Sequence, residues 1–509
     1  MSMVIDAGPA RVARSSWRGD LISLVSGLPI VLGFAPYGWY GVPIVSIAIF
    51  LTCLHGVSAR RAAARGFLFG IGSFIAGMYW VHISIHQFGG APLAVALMLM
   101  VLLVLYMALY PAVFALVVSV FSTSNHLVRY VLVAPAAWVL LEWARGWLFT
   151  GFGWLAVGYS QTDSPLQHVM PVLGVYGASY GALILSGGLA VWFVQRRPCT
   201  ASALAGLLFV LTAALFGRAD WTQSTGREID VAMVQGAVPQ DIKWSPGQLQ
   251  PTVDLYVRLS DEHLDADLVI WPEAAIPTSR RNLDPLFAGL RQRGKRRGAE
   301  FLIGTVDIDE ATGQPINTAV VLGKQPEDEM RYVKRHLVPY GEFFPAPDFV
   351  LGWIRQLNLP FRDFVRGDAH QPPLRAAGIP IAMSICYEDV FGAELRAMTP
   401  ITEIMANVSN DAWFGMSIAP HQHLQIARTR ALEAGRMIMR STNNGITAII
   451  DERGRVISRS AQFTPEVLRG VVRGRSGVTP FVRFGNGPVV ILAVALLLGA
   501  LLRGRRRSA

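Results

Sequence analysis

Charged residues are scarce in this chain, and their scarcity excludes a single soluble domain. Of 509 residues only 16% are Asp, Glu, Lys or Arg, whereas 52% are hydrophobic. The segment 21–217 holds nine charged side chains, while 227–475 has the composition of an ordinary soluble domain. The length also exceeds that of a typical single domain. We therefore expect a membrane domain at 21–217 and a soluble domain at 227–475.

Cysteine is also rare, with Cys53, Cys199 and Cys386 as the only three, which is too few for a disulfide framework. Cys/His spacing does not indicate a metal site. His82 and His86 are four residues apart in a predicted membrane span, but a third ligand is missing. We therefore expect neither a metal nor a cofactor.

The formal net charge of +10 suggests nucleic-acid binding only at first sight. Much of the excess positive charge lies in short loops beside apolar segments, where it sets the orientation of the chain in a membrane. We therefore expect a membrane rather than a nucleic acid as the partner of these charges.

Eight apolar segments approach the length of about 20 residues that a membrane span needs. They lie at 21–37, 41–57, 66–86, 91–121, 128–147, 169–195, 201–217 and 485–502. Within the fifth segment, Glu142 and Arg145 are three residues apart. Ionisable residues in a span are either functional or pair with each other to hold helices together, and both readings stay open.

Arginine occurs in alternate loops between these segments, which predicts the topology. The start of the chain and the loops after the second, fourth, sixth and eighth segments carry Arg, whereas 38–40, 87–90 and 148–168 carry neither Lys nor Arg. Positive loops stay in the cytoplasm, so 1–20 and the basic tail 503–509 are expected there. Seven spans then place the soluble domain in the periplasm of a bacterial inner-membrane protein.

The clearest pattern in the soluble segment is an apolar strand that leads directly into a thiol. Residues 379–385 predict a buried strand, and Cys386 follows, with Tyr387 and Glu388 behind it. Open α/β sheets place reacting groups at the carboxyl ends of strands. Most free cysteines are small buried hydrophobic residues, so a chemical role for Cys386 can be inferred only together with other segments of the sequence.

Two other segments supply the groups that a reactive thiol needs. The apolar strand 267–272 ends at Glu273, and the segment 332–342 carries Lys334 and Glu342. A carboxylate can take the proton of a thiol, and an ammonium can stabilise an oxyanion. Lys334 is one of only four lysines beside 41 arginines, which suggests a role for a compact ammonium that can exchange a proton.

Strands and helices alternate through the soluble segment, which favours layered α/β packing. Strands are predicted at 229–238, 267–272, 301–307, 318–323, 379–385, 403–408 and 446–451, with helices at 251–263, 284–297 and 420–437.

Three short motifs together resemble those of the nitrilase superfamily: Trp-Pro-Glu273, Lys334-Arg-His-Leu-Val-Pro-Tyr-Gly-Glu342 and Cys386-Tyr-Glu388. The resemblance implies a four-layer α-β-β-α sandwich and a Glu-Lys-Cys triad. Glu273 is then the general base, Lys334 the oxyanion-stabilising cation and Cys386 the nucleophile. The backbone N–H of Tyr387 is a second oxyanion donor, and Glu342 and Glu388 are supporting residues.

The chain combines eight predicted spans with such a domain, and it also carries the motifs Glu142-Trp-Ala-Arg145 and Val408-Ser-Asn-Asp-Ala-Trp-Phe-Gly415. In these features it resembles the apolipoprotein N-acyltransferase family. The resemblance implies acyl transfer from a phospholipid, typically phosphatidylethanolamine, to the N-terminal amino group of a diacylglyceryl-cysteine apolipoprotein. The transfer would be ping-pong, through a thioester on Cys386. We expect the enzyme to be a monomer.

Several apolar features near these motifs have two readings. Trp244, Tyr340, Trp413 and Phe414 are candidates for an acyl or head-group pocket or are ordinary core residues. The segment 348–364 is either a core or subunit-contact helix or, as we favour, an arm that dips into the membrane interface.

Two alternative functions remain. A membrane-tethered nitrilase or amidase acting on a small C–N substrate would use the same triad, but it gives no reason for eight spans. A transporter or scaffold with an inactive soluble domain is disfavoured by the intact Glu273, Lys334 and Cys386.

Overall fold

The structure, a computed structural model, describes residues 17–121, 125–196, 200–217, 219–344 and 363–508. The predicted arm at 348–364 lies outside the described residues except for its last two, and so does Cys199.

The first part of the chain is helical. Its longer helices are Trp17–Gly27, Gly41–Cys53, Ala59–Met78, Leu93–Val120, Ala134–Arg145, Met170–Gln195 and Thr200–Gly217, and Gly487–Ser508 joins them from the other end of the chain. Short helical turns lie between them at Leu28–Gly33, Val81–Ile83, Ser84–Phe88, Val128–Val133, Leu148–Thr150, Val157–Gln161 and Pro165–Val169.

Each predicted span overlaps one of these helices, but the helices differ in length. Within the described residues, Leu93–Val120 and Pro165–Gln195 are long and apolar enough to cross a membrane. The bent pair Ala59–Met78 and Val81–Phe88 makes a third if it is one span, and Gly41–Cys53 and Gly487–Arg503 are shorter apolar helices. Only 28% of the most apolar 18-residue stretch of helix Leu93–Val120 is buried within the protein, as expected for a helix whose apolar side chains face lipid.

Two six-stranded sheets form the second part of the chain. The strands are β1 Thr222–Gln235, β2 Leu268–Trp271, β3 Glu300–Ile308, β4 Pro315–Leu322, β5 Met330–Val333, β6 Leu374–Ala376, β7 Ile379–Ile385, β8 Ile404–Ser409, β9 Ile438–Thr442, β10 Ala448–Ile450, β11 Val456–Arg459 and β12 Glu466–Gly477. The first sheet has the order β12-β1-β2-β3-β4-β5 and the second β11-β10-β9-β8-β7-β6. Strands β1, β2 and β3 are parallel, and so are β7, β8 and β9.

The two sheets pack face to face because alternate residues of each strand point to opposite sides. Val231 and Met233 of β1 share one core with Ile381 and Met383 of β7. The outer face of the first sheet packs on helices Leu249–Asp261 and Asp284–Arg297, and that of the second on helix Ala419–Ala434. The predicted α-β-β-α sandwich is confirmed.

Helix Ala419–Ala434 also joins the sandwich to the helical part of the chain. Gln425 Oε1 accepts a hydrogen bond from Ala35 N at 3.0 Å, and Glu433 Oε1 accepts one from Val175 N at 2.7 Å. The helix was predicted to reach 437, but it ends at Ala434 because Gly435 adopts a left-handed conformation, with φ of +61°.

Candidate active site

The three residues of the predicted triad follow the ends of three strands and lie close together between the sheets. Glu273 follows β2 after one residue, Lys334 follows β5 directly, and Cys386 follows β7 directly. Lys334 contacts Glu273, and the charges of both act on the thiol of Cys386. The structure therefore brings together the three residues that the sequence singled out.

A single lysine lies between two carboxylates in this site. Lys334 Nζ is 3.2 Å from Glu273 Oε1 and 2.8 Å from Glu342 Oε1. Asn317 Nδ2 donates to the same two oxygens, at 2.7 and 3.0 Å. The side chain of Lys334 is only 1% exposed, so these oxygens replace water as its partners. Glu342 thus belongs to the cluster, and Asn317 is a member that the sequence did not indicate.

The cluster keeps Lys334 charged. Burial alone lowers the pKa of a lysine, but the carboxylates of Glu273 and Glu342 outweigh it and raise the pKa of Lys334 above its ordinary value. Glu342 Oε2 accepts a hydrogen bond from Val338 N at 2.8 Å. Glu273 Oε2, by contrast, accepts none from the described residues, so this oxygen is available to receive a proton.

Cys386 occupies a sharp turn between a strand and a helical turn. Its φ is +52°, in the left-handed region that non-glycine residues rarely adopt. The turn leads from β7 into the short 3-10 helix Cys386–Val390, a geometry that exposes a nucleophile at the edge of a sheet. Asn407 Nδ2 holds the turn by donating to the carbonyl oxygen of Cys386 at 3.2 Å.

The resting state of Cys386 is a thiol rather than a thiolate. Burial raises the pKa of the Cys386 thiol well above its ordinary value, the nearby Glu273 carboxylate raises it further, and Lys334 opposes both. The thiol therefore needs a base at the moment of attack, and Glu273 is the adjacent one.

Glu388 ties the turn of Cys386 to the segment of Lys334. Its carboxylate accepts hydrogen bonds from Ile385 N at 2.7 Å, Arg335 N at 2.7 Å and His336 N at 3.1 Å. Burial raises the pKa of Glu388 to about 7, against the lowering effect of these bonds. The geometry gives Glu388 a positioning role between the two strands.

The neighbour of the thiol, Tyr387, faces the helical part of the chain. Its Oη donates to the carbonyl of Gly151 at 3.2 Å, and its ring stacks 6.5 Å from that of Trp154. Among the described residues, the four other aromatic candidates have separate surroundings. Trp413 and Phe414 pack on Phe88 and Trp80 of the helical part, Tyr340 packs on Phe344, and Trp244 is 52% exposed.

A second buried charge cluster supports the segment after Cys386, and sequence reasoning missed it. His423 lies between two carboxylates, with Nε2 2.9 Å from Asp389 Oδ1 and Nδ1 2.8 Å from Asp411 Oδ1. Arg440 contacts the other oxygens of the same carboxylates, at 3.0 and 2.9 Å. The two positive and two negative side chains compensate one another within the interior. Its four members come from four separate segments of the chain, so no local pattern in the sequence indicated it.

The polar residues of the predicted spans have local partners. His82 and His86 each contact a backbone carbonyl, of Tyr79 and Ala91 respectively. In the described part of the chain no group of three His, Cys, Asp or Glu could hold a metal ion.

Of the two readings left open for Glu142 and Arg145, the structure shows a structural role for each, because each residue anchors a different point of the following loop. Glu142 Oε1 accepts from Val157 N at 2.8 Å, and Arg145 Nη1 donates to the Phe152 carbonyl at 2.9 Å.

Comparisons with known families agree with this architecture. Residues 26–188 match the model of the apolipoprotein N-acyltransferase N-terminal domain, and residues 230–473 match that of the carbon-nitrogen hydrolases. The fold and site thus define a membrane protein in which apolar helices carry a carbon-nitrogen hydrolase domain.

Full-length relatives make the assignment specific. The chain is 40% identical over 491 residues to apolipoprotein N-acyltransferase of Methylococcus capsulatus, covering 96% of this chain and 97% of that protein. It is 39% identical over 498 residues to that of Photobacterium profundum, covering 96% and 95%. Among solved structures, a carbon-nitrogen hydrolase from Helicobacter pylori G27 covers 48% of this chain and 89% of its own, at 15% identity and a TM-score of 0.37. The chain belongs to the apolipoprotein N-acyltransferase family, and the predicted N-acyltransferase function is confirmed.

Proposed function

We propose that the chain transfers an acyl chain from a phospholipid, typically phosphatidylethanolamine, to the amino group of a diacylglyceryl-cysteine apolipoprotein, through a thioester on Cys386. The observation that carries the proposal is the site itself. A thiol on a strained turn adjoins a carboxylate whose free oxygen can accept its proton and a lysine that two carboxylates keep charged.

In the first half-reaction Glu273 takes the proton of Cys386 as Sγ attacks the ester carbonyl of the phospholipid. Lys334 and the backbone N–H of Tyr387 stabilise the oxyanion of the tetrahedral intermediate. The intermediate collapses to a thioester, and the proton on Glu273 passes to the departing alkoxide of the lysophospholipid. The base is thereby ready again.

In the second half-reaction the neutral amino group of the apolipoprotein attacks the thioester. Glu273 accepts a proton from this nitrogen, the Cys386 thiolate leaves, and the proton returns to the sulfur. The first product leaves before the second substrate reacts, which gives ping-pong kinetics. Since Lys334 keeps its charge throughout, it stabilises the oxyanion in both halves.

A lipid donor agrees with the surface beside the site. Tyr387 and His336 hold the loop that contains Thr150 and Gly151 by contacts to their carbonyls. The tip of this loop carries exposed apolar side chains, among them Phe149, which is 77% exposed. Such a tip is stabilised by insertion among lipids, so the donor would approach Cys386 from the bilayer.

The predicted topology belongs to the same proposal. Seven spans within 21–217 and an eighth at 485–502 would place the 227–475 domain in the periplasm, with 1–20 and 503–509 in the cytoplasm. The charge pattern of the loops supports this arrangement. Modification of single cysteines in 38–40 and 503–509 by an impermeant reagent, in intact spheroplasts, tests it: only the former should react.

Intact mass spectrometry of the purified protein tests the chemistry. After incubation with phosphatidylethanolamine we expect an added acyl mass that hydroxylamine removes. The adduct should be absent from Cys386→Ser and present in Cys53→Ser, the matched control for the buried cysteine of the helical part. Folded protein that turns over a small amide but forms no lipid adduct under rapid quenching would instead support the amidase alternative.

A further inference from the structure

Lys243 is a buried lysine that the proposed mechanism does not use. It ends the short helix Gln240–Lys243, between β1 and helix Leu249–Asp261. Its side chain is 0% exposed, and its Nζ has no hydrogen-bond partner in the described part of the chain. An unpaired buried ammonium is unfavourable, and a methionine would fill the same space without that penalty. Packing alone therefore does not account for a lysine here.

The loop that carries Lys243 is fixed between the two sheets. Asn443 Nδ2 donates to the Val238 carbonyl at 2.9 Å and Asn443 Oδ1 accepts from Val238 N at 3.2 Å. Asn410 Nδ2 donates to Gln240 Oε1 at 2.8 Å. Since β1 and β2 are parallel neighbours, the loop after β1 lies on the same edge as Glu273 after β2. The amine of Lys243 is thereby held on the side of the site where Glu273 lies.

The charges of the site do not balance without this lysine. Glu273 and Glu342 contribute two negative charges, whereas Lys334 contributes one positive charge. Lys243 is close enough to Glu273 for the two charges to interact. Burial lowers the pKa of Lys243 to about 8, and the Glu273 carboxylate opposes this lowering. Lys243 therefore carries a positive charge at neutral pH, and it balances the second carboxylate of the set Glu273, Glu342 and Lys334.

We propose that Lys243 is a positioning residue for acyl transfer, whose ammonium balances the second carboxylate and keeps Glu273 ionised to accept the Cys386 proton. The inference rests on the proposed triad. Without the ammonium, the Glu273 carboxylate would lose a nearby positive charge that favours its ionised form, and it would be a less effective base for Cys386.

The pH profile of thioester formation, measured by quenched-flow mass spectrometry, tests the proposal. In Lys243→Met we expect the acid limb to move up by about 1–2 pH units, so that at pH values below both midpoints the rate falls about 10–100-fold. At pH 9 the wild-type Lys243 has also lost its proton, so the two rates should agree within about 2-fold. Lys324→Met, which removes an exposed lysine, should leave the whole profile unchanged.

Three results would overturn the proposal. The first is a profile for Lys243→Met that equals the wild type at every pH, and the second is a rate lowered by the same factor at every pH, as a purely structural role predicts. The third is a raised KM for the phospholipid with an unchanged kcat, which would assign Lys243 to the phosphate group. Absence of a thioester in the wild-type protein would instead refute the proposed triad.

A spectroscopic measurement keeps the proposal testable if Lys243→Met does not fold. The chain has only four lysines, so ¹³C labelling at lysine Cε yields four signals, which Lys→Arg variants at 295 and 324 help to assign. We expect the Lys243 signal to titrate near pH 8, and its midpoint to fall by about 1 unit in Glu273→Gln. A midpoint that Glu273→Gln does not move would show that the two groups are not coupled.

Discussion

Replacement of Lys334 by methionine removes the one cation that Glu273 and Glu342 share. Nζ lies 3.2 and 2.8 Å from the two Oε1 atoms and is excluded from water. Removal of one partner from a buried ion pair costs about 3–5 kcal/mol. The variant can avoid part of this loss by protonating one of the two carboxylates, so the loss cannot exceed the cost of that protonation. At pH 7 the cost is about 3.7 kcal/mol for a glutamate with an ordinary pKa near 4.3. We therefore expect Lys334→Met to lose about 3–4 kcal/mol in free energy of unfolding at pH 7.

The sign of the pH dependence follows from the same proton. A carboxyl whose pKa is raised in the folded variant binds a proton that the unfolded chain releases, so the variant loses stability as the pH rises above about 4.3. At pH 5.5 the cost of protonating the carboxylate, which limits the loss of stability, falls to about 1.6 kcal/mol. The deficit of Lys334→Met relative to the wild type should accordingly shrink by about half or more between pH 7 and pH 5.5.

Thermal unfolding in detergent, followed by tryptophan fluorescence, measures this deficit. Each kcal/mol corresponds to about 2–4 °C for a domain of this size, so we expect a loss of about 6–16 °C at pH 7. The double variant Lys334→Met, Glu342→Gln should recover most of it, because one carboxylate and Asn317 remain, but it should stay inactive. A deficit that is the same at both pH values, or that Glu342→Gln does not relieve, would refute the charge-sharing account.

Two further predictions concern the residues around the triad. Asn317→Leu removes a charge-assisted hydrogen bond from Glu273, worth about 1.5–3 kcal/mol, so thioester formation should slow about 10–100-fold; a change confined to KM in steady-state assays would contradict this. His423 is the second case: burial and Arg440 lower its pKa, but Asp389 and Asp411 outweigh them and raise it to about 9. The stability that this imidazolium gives is complete below about pH 6.5 and is lost as the pH rises through 9, about 3 kcal/mol in all. Urea unfolding from pH 6 to 10 should show that loss in the wild type, whereas His423→Gln should lack it; equal slopes for both proteins would disprove the assignment.

The strand that precedes Cys386, the proposed nucleophile, could be predicted to the residue. The seven buried residues of β7 lie between Gly378, whose φ of +73° only glycine adopts readily, and Cys386. Burial on both faces gives a continuous apolar run of this kind. The same pattern located β2 before Glu273. Where the candidate site is built on fully buried strands, the sequence therefore indicates both the strand and the polar residue that follows it.

Strands that carry charge could not be predicted in the same way. β9 was missed because Arg440 interrupts its apolar pattern, yet Arg440 is completely buried. Its guanidinium is stable there only because Asp389 and Asp411 approach it from other segments. Contacts between residues so far apart in the chain leave no local pattern. For the same reason Asn317 at the start of β4 gave no sign that it joins two carboxylates.

Lys243 and Trp244 show how a functional site reverses the usual preference for burial. Tryptophan is normally the more buried of the two residue types, and the sequence accordingly pointed to Trp244 as a pocket residue. In the structure Trp244 is 52% exposed and Lys243 is 0% exposed. Exposure of the indole is reasonable for a protein whose substrates are lipids, because an aromatic ring is stable at a membrane interface. Burial of the amine is reasonable only if a negative charge lies near it, and the Glu273 carboxylate supplies that charge.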